Sequence, residues 1–124
     1  MGSSRSGPSP RRDAIATVAA NRVVSAGGTC LQAADIASSG VLVEGNVAAT
    51  CGGAGIGLLG QGHTVRGNRA SGAIGAGFHL QFGVAVTFQD NVSRKNNFAY
   101  CEQNTTGTVF SGSNTFDGAD NDCP

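Results

Sequence analysis

The chain has 124 residues, with 8 Lys or Arg against 8 Asp or Glu, so its formal net charge is zero and only 13% of residues are charged. That length suits one domain, and the balance argues against nucleic acid or a membrane surface as partner. With 20 Gly, no Trp and one Met, the composition argues against a helical bundle, because an interior helical Gly costs about 1 kcal/mol relative to Ala.

Residues 1–13, MGSSRSGPSPRRD, read as a disordered basic tail. No apolar stretch of signal-peptide length follows them, and no later run approaches the roughly 20 apolar residues that span a bilayer. From residue 14 to residue 124 the chain reads as one β domain built from an internal repeat. Asn21, Asn46, Asn68, Asn91 and Asn114 are spaced 25, 22, 23 and 23 apart. Val18, Val43, Val65 and Phe88 precede the first four by three residues, and Phe110 precedes the fifth by four. Ten residues after the anchors come Leu31, Ile56, Phe78 and Cys101; twelve after come Ala33, Leu58 and Leu80, with Gln103 breaking the run.

A leucine-rich repeat has a similar period but needs a dense Leu pattern, and this chain has five Leu. A coil of three short strands per turn fits better. Each turn climbs one strand spacing, about 4.8 Å, so equivalent residues stack. Apolar residues become the interior, the asparagines a hydrogen-bonded ladder, and the glycines the sharp corners. In chain order, residues 14–40 form a degenerate first turn, residues 41–63, 64–85 and 86–107 three matched turns, and residues 108–124 a turn begun. Ile15, Val18, Ala19, Arg22 and Val23 also have helical spacing, with Asp13 as N-cap. Residues 14–26 are therefore read as strand, with a capping helix as the alternative.

These residues carry a family resemblance. The V-x-G-N tetrapeptides Val43–Asn46 and Val65–Asn68, and the G-[IF]-x-L steps Gly55–Leu58 and Gly77–Leu80, resemble the right-handed parallel β-helix repeat of the pectin-lyase-like superfamily. The resemblance is clearest over residues 41–107. It implies an all-β, right-handed parallel β-helix of four to five turns. The superfamily holds polysaccharide lyases, glycoside hydrolases, uronan epimerases, phage tailspikes and surface proteins, so the fold does not choose an activity. Its enzymes usually have many more turns. The short stack and its open strand edges are expected to favour self-association, or to mark a fragment.

Cys30 and Cys51 are 21 apart, and Cys101 and Cys123 are 22 apart. One turn separates the members of each pair, and stacked strands lie within disulfide reach. The expected bonds are Cys30–Cys51 and Cys101–Cys123, which imply an oxidising, extracellular setting. Buried free thiols are the alternative. The absence of a C-x-x-C pair argues against metal.

Candidate ligand-binding residues are Arg66 and Arg69, which flank Asn68, Arg94 and Lys95 in DNVSRKNN, and His79 between Phe78 and Leu80. Arg94 and Lys95 suit an acidic sugar; a solvated loop is the plainer reading. Glu44 stands one turn before Arg66 at the same register, as expected for an exposed cross-strand pair. Period two directs His79 outward. His63, in GQGH, reads as a corner residue. Asp117, Asp120 and Asp122 lack the spacing and the bidentate Glu of a calcium loop. Of the two N-x-[ST] acceptor patterns, Asn104-Thr-Thr106 is more plausible than Asn91-Val-Ser93, whose Asn belongs to the ladder. Thr17, Thr64, Thr87 and Thr108 recur near one position as a single file. No catalytic set and no cofactor emerge. The expected function is a noncatalytic extracellular module that contacts polysaccharide or forms part of a surface protein; the alternative is a fragment of a lyase, hydrolase or epimerase.

Overall fold

The structure, a computed structural model, describes residues 16–35 and 37–116. The expected basic tail, Cys123 and the terminal aspartates lie outside the described residues. Among those described there is no helix. The chain coils as a parallel β-solenoid of about 4 turns with about 23 residues per turn.

Three parallel sheets form its walls. The first stacks β1 (Thr17–Ala19), β4 (Leu42–Glu44), β7 (Thr64–Arg66), β10 (Thr87–Gln89) and β13 (Val109–Ser111). The second stacks β2 (Arg22–Ala26), β5 (Val47–Cys51), β8 (Arg69–Ala73), β11 (Val92–Arg94) and β14 (Thr115–Phe116). The third stacks β3 (Leu31–Ala34), β6 (Ile56–Gln61), β9 (Ala76–Val84) and β12 (Phe98–Gln103). The helical alternative for the first turn is thereby replaced by strands. Val18 pairs with Val43 and Val23 with Ala48, so period two, rather than 3.6, turns Val18 and Val23 half-buried toward the interior.

Side-chain alternation sorts each strand into an inner and an outer set. Val43, Val65 and Phe88 are fully buried on the first sheet, Ala48 and Ala70 on the second, and Ile56, Leu58, Phe78 and Leu80 on the third. The interior is aliphatic in the early turns and aromatic in the later ones. Phe88 meets Phe78 edge-on at 6.0 Å and Tyr100 edge-on at 5.3 Å, and Tyr100 stacks on Phe116 at 5.7 Å. Each such pair adds about 0.5–1.5 kcal/mol beyond area burial.

The fourth turn corrects the predicted register. Tyr100, not Cys101, stacks on Phe78, and Glu102, not Gln103, falls opposite Leu80. The corner after β11 is one residue shorter than its counterparts, and a one-residue slip exchanges the two faces of the strand. In the first turn a bulge places Ala34, rather than Ala33, opposite Leu58.

The corner between the first and second sheets turns through one left-handed residue per coil: Ala20, Gly45, Gly67, Asp90 and Gly112, with φ between 56° and 67°. The anchor asparagines follow. Asn68 is representative. Its Oδ1 accepts from the backbone N–H and the Nδ2 of Asn46, both at 2.9 Å. Its Nδ2 donates to Val43 O at 2.9 Å and to Asn91 Oδ1 at 3.0 Å. The same contacts join Asn21 to Asn46 and Asn91 to Asn114. The fifth corner carries one extra residue, Ser113, whose N–H donates to Asp90 Oδ1 at 2.7 Å. That insertion explains why Phe110 lies four residues before its Asn yet stacks on Phe88.

Cys30 and Cys51 are disulfide-bonded, with Cα atoms 5.4 Å apart. They are not stacked equivalents. Cys51 ends β5 opposite Ala26, whereas Cys30 stands just before β3, so the bond ties one turn to the next across the second corner. Cys101 is also disulfide-bonded; its expected partner is outside the described residues.

Candidate functional site

The solenoid separates the five predicted contact residues onto three different outer faces. Arg66 projects from the first sheet, where its Nε and Nη2 donate to Glu44 Oε2 at 2.9 and 2.6 Å. Both side chains are nearly half exposed, 44% and 43%, so this pair contributes at most about 1 kcal/mol and leaves Arg66 with little charge to offer a ligand. The predicted Thr file also lies here, but it reads Thr17, Leu42, Thr64, Thr87, Val109. Thr108 stands one residue before β13 and outside that file, and Leu42 and Val109 interrupt it.

Arg69, Arg94 and Lys95 come together on the second sheet. With Ala70, Ser71 and Val92 they line an open groove of about 290 Å³. Arg69 pairs with Val92, and Ser71 with Arg94. The two arginines therefore sit one strand and two residues apart, roughly 8 Å between Cα atoms on the diagonal. Lys95 follows in the left-handed conformation, φ 59°, which turns the chain out of β11. The outward files of this sheet hold Arg22, Val47, Arg69, Val92 and Thr115, and Val24, Ala49, Ser71 and Arg94. Neither contains a carboxylate. Among the described residues no hydrogen bond or ion pair engages the side chain of Arg69, Arg94 or Lys95. Positive charges without partners on one groove create a local attractive field for anions even in a chain of zero net charge.

His79 occupies the third sheet, beside a groove of about 250 Å³ lined by Gly53, Ala54, Gly75, Ala76, Cys101 and Gln103. Its Nε2 is 3.1 Å from Gln103 Oε1, which also accepts from Gln81 Nε2 at 2.8 Å. Sequence reasoning missed both glutamines because the assumed register turned Gln103 inward. Gln81 and Gln103 sit 22 residues apart and pair directly, a signal that the correct register exposes.

His63 belongs to no site. It is buried between Val41 and Val86 along one inner corner. Val41 N–H donates to its Nδ1 at 3.1 Å, and its Nε2–H donates to Leu59 O at 2.7 Å. Both nitrogens hold backbone, so the ring acts as a polar strut. Of the two acceptor patterns, Asn91 is fully buried in the ladder and Asn104 is exposed in a turn. Tyr100 is buried and donates to Glu102 Oε1 at 2.8 Å; desolvation, then the neighbouring carboxylate, pushes its phenol well above the usual range.

Comparison of the chain with protein-family models, with curated proteins and with solved structures returns no match.

Proposed function

We propose that the chain is a noncatalytic extracellular β-solenoid module of the pectin-lyase-like type, and that it holds an acidic polysaccharide on the second sheet. The observation that carries this reading is the groove of Arg69, Arg94 and Lys95, three cationic side chains without partners among the described residues, on a sheet whose described outward files hold no carboxylate. A flat sheet with cations on a diagonal suits the carboxylates of an extended uronic-acid chain. Guanidinium groups grip such carboxylates through paired N–H donors. The Cys30–Cys51 bond supports an oxidising, extracellular setting.

The test is binding of polygalacturonate and alginate, measured calorimetrically against neutral dextran at several salt concentrations. Retention of the uronates only, weakening as salt rises, is the expected result. R69A/R94A/K95A loses it, and R66A, on another face, does not. Equal binding of dextran, or an unaffected triple variant, overturns the reading. Release of unsaturated or reducing sugar ends by the purified chain overturns its noncatalytic part.

A further inference from the structure

The outer face of the third sheet has a chemistry of its own. Its outward files are Gln32, Gly57, His79 and Cys101, and Leu59, Gln81 and Gln103. No Lys, Arg, Asp or Glu stands in either. What they present is a short row of amides and an imidazole, held in place by each other. Gln103 Oε1 accepts from both His79 Nε2 and Gln81 Nε2, which fixes the orientation of all three groups. That leaves His79 Nδ1 and Gln81 Oε1 as acceptors and the Gln103 amide N–H₂ as donor. None of these atoms has a partner elsewhere in the described chain. An alternating set of acceptors and donors matches vicinal hydroxyl groups, each of which both gives and takes a hydrogen bond.

The floor beside this row is kept low. Gly53, Ala54, Gly75 and Ala76 line the groove that His79 and Gln103 flank. A Cβ on Gly53 would meet Thr29 N at 3.1 Å, and one on Gly75 would meet Gly53 O at 3.2 Å. Small residues thus serve the corner packing and leave a trough open at the surface.

Directly after the paired residues Gln81 and Gln103, the chain enters the left-handed region at Phe82, φ 51°, and Asn104, φ 55°. Asn tolerates that conformation, but for a bulky residue it is an outlier. Phe82 is the extra residue of a bulge between the Leu59–Gln81 and Gly60–Gly83 pairs, and it stays 48% exposed. Burial therefore does not account for either its strain or its exposure. Its exposed ring, one residue beyond Gln81 in the chain, is an apolar surface available to the C–H face of a sugar.

From the amide–imidazole row, the open trough and the strained, exposed Phe82, we infer that the third sheet carries a second binding site, for an uncharged, hydroxyl-rich glycan. Gln81, Gln103 and His79 take the hydroxyls, and Phe82 packs against the ring. This site lies on a different sheet from the cationic groove and does not depend on it.

The probes are neutral hexasaccharides of glucose, mannose, xylose and galactose, each presented at millimolar concentration to the oxidised chain and followed by saturation-transfer and chemical-shift NMR. At least one is expected to bind with contacts to Phe82 and Gln103, insensitive to salt and to R69A/R94A/K95A. Q103A and F82G are each expected to weaken it about tenfold, the loss of one good contact. F82G separates recognition from folding: glycine relieves the positive φ, so a purely structural role predicts equal or higher thermal stability with binding unchanged. The inference is overturned if no hexasaccharide binds. It is equally overturned if the one that binds ignores Q103A and F82G, or if binding disappears with the arginines.

Discussion

Replacing Asn68 by Ala tests the ladder as the element that sets the stack. Asn68 is 1% exposed. Truncation leaves Asn46 N–H without its acceptor at 2.9 Å and removes the donor to Val43 O. Two other partners keep an alternative, because Asn46 Nδ2 still donates to Val18 O and Asn91 Oδ1 still accepts from the Asn68 backbone N–H. The stranded Asn46 N–H costs about 1–3 kcal/mol; Val43 O, paired in the β4–β7 ladder, loses only its second donor, and with the small void the total is about 3 kcal/mol. Domains of this size have roughly 5–15 kcal/mol to lose. Asn21, at the exposed first rung, is the internal control: N21A forfeits one partly exposed side-chain bond and should cost under about 1 kcal/mol. N68D should be worse than N68A at neutral pH. A carboxylate keeps the acceptor but turns its second oxygen against Val43 O and Asn91 Oδ1, with a buried charge besides. Urea titrations with unchanged slope read these differences directly. If N68A and N21A fall within about 0.5 kcal/mol of each other, the ladder merely follows the stack and does not determine it.

Gly60 has φ 105° and no room for a side chain: a Cβ would strike Ser38 O and approach His63 Nε2 at 2.7 Å. G60A should therefore cost about 3 kcal/mol or more from strain and overpacking together, and a neutral result in a thermal melt refutes the corner geometry. C30S/C51S opens a bond spanning 21 residues and should cost about 3 kcal/mol by loop entropy, checked by the urea midpoint against the parent. Tyr100 is the chain's one tyrosine, and there is no tryptophan, so the ultraviolet tyrosinate band reports it alone. Its folded pKa is raised by burial and by Glu102. The folded state therefore holds its proton more tightly than the unfolded one, and stability falls as pH rises above the unfolded value of about 10. Y100F should flatten that alkaline slope, and a band that appears near pH 10 without unfolding contradicts the assignment.

The solenoid was legible because its constraint repeats. Val43, Val65 and Phe88 recur against Asn46, Asn68 and Asn91 at a nearly constant interval, and only a stacked coil buries the first set while bonding the second. What escaped was local register. The short corner around Lys95 and Asn96 shifts the fourth turn by one residue, and that shift moved Cys101 and Gln103 to the wrong faces in the reading from spacing. The bulge at Phe82 was invisible for a similar reason, since a bulge residue has no paired equivalent. The candidate sites were legible only in part. Arg69, Arg94 and Lys95 stand out by charge, but their union in one groove depends on a diagonal between adjacent strands. Gln81 and Gln103 have no signature apart from being neighbours in space.

The same geometry separates residues that fold the chain from residues free to recognise something. Inner positions answer to the rung above and the rung below. Val65, between Val43 and Phe88, must be apolar and of fitting size, and Asn68 must both give and accept. Outer positions answer to neither demand. Arg69 can stand between Val47 and Val92, and Gln81 between Leu59 and Gln103, with no consequence for the interior. Substitutions such as R94A or Q103A remove exposed or half-exposed groups and should shift stability by no more than about 0.5 kcal/mol. Loss of ligand in those variants therefore reports lost contact and not lost fold. Each outer face can then carry its own chemistry: a self-paired Glu44–Arg66 surface, a cationic groove, and an uncharged row of amides. The periodicity that makes the fold readable is silent about these faces, so the choice of ligand rests on side chains that the repeat leaves unconstrained.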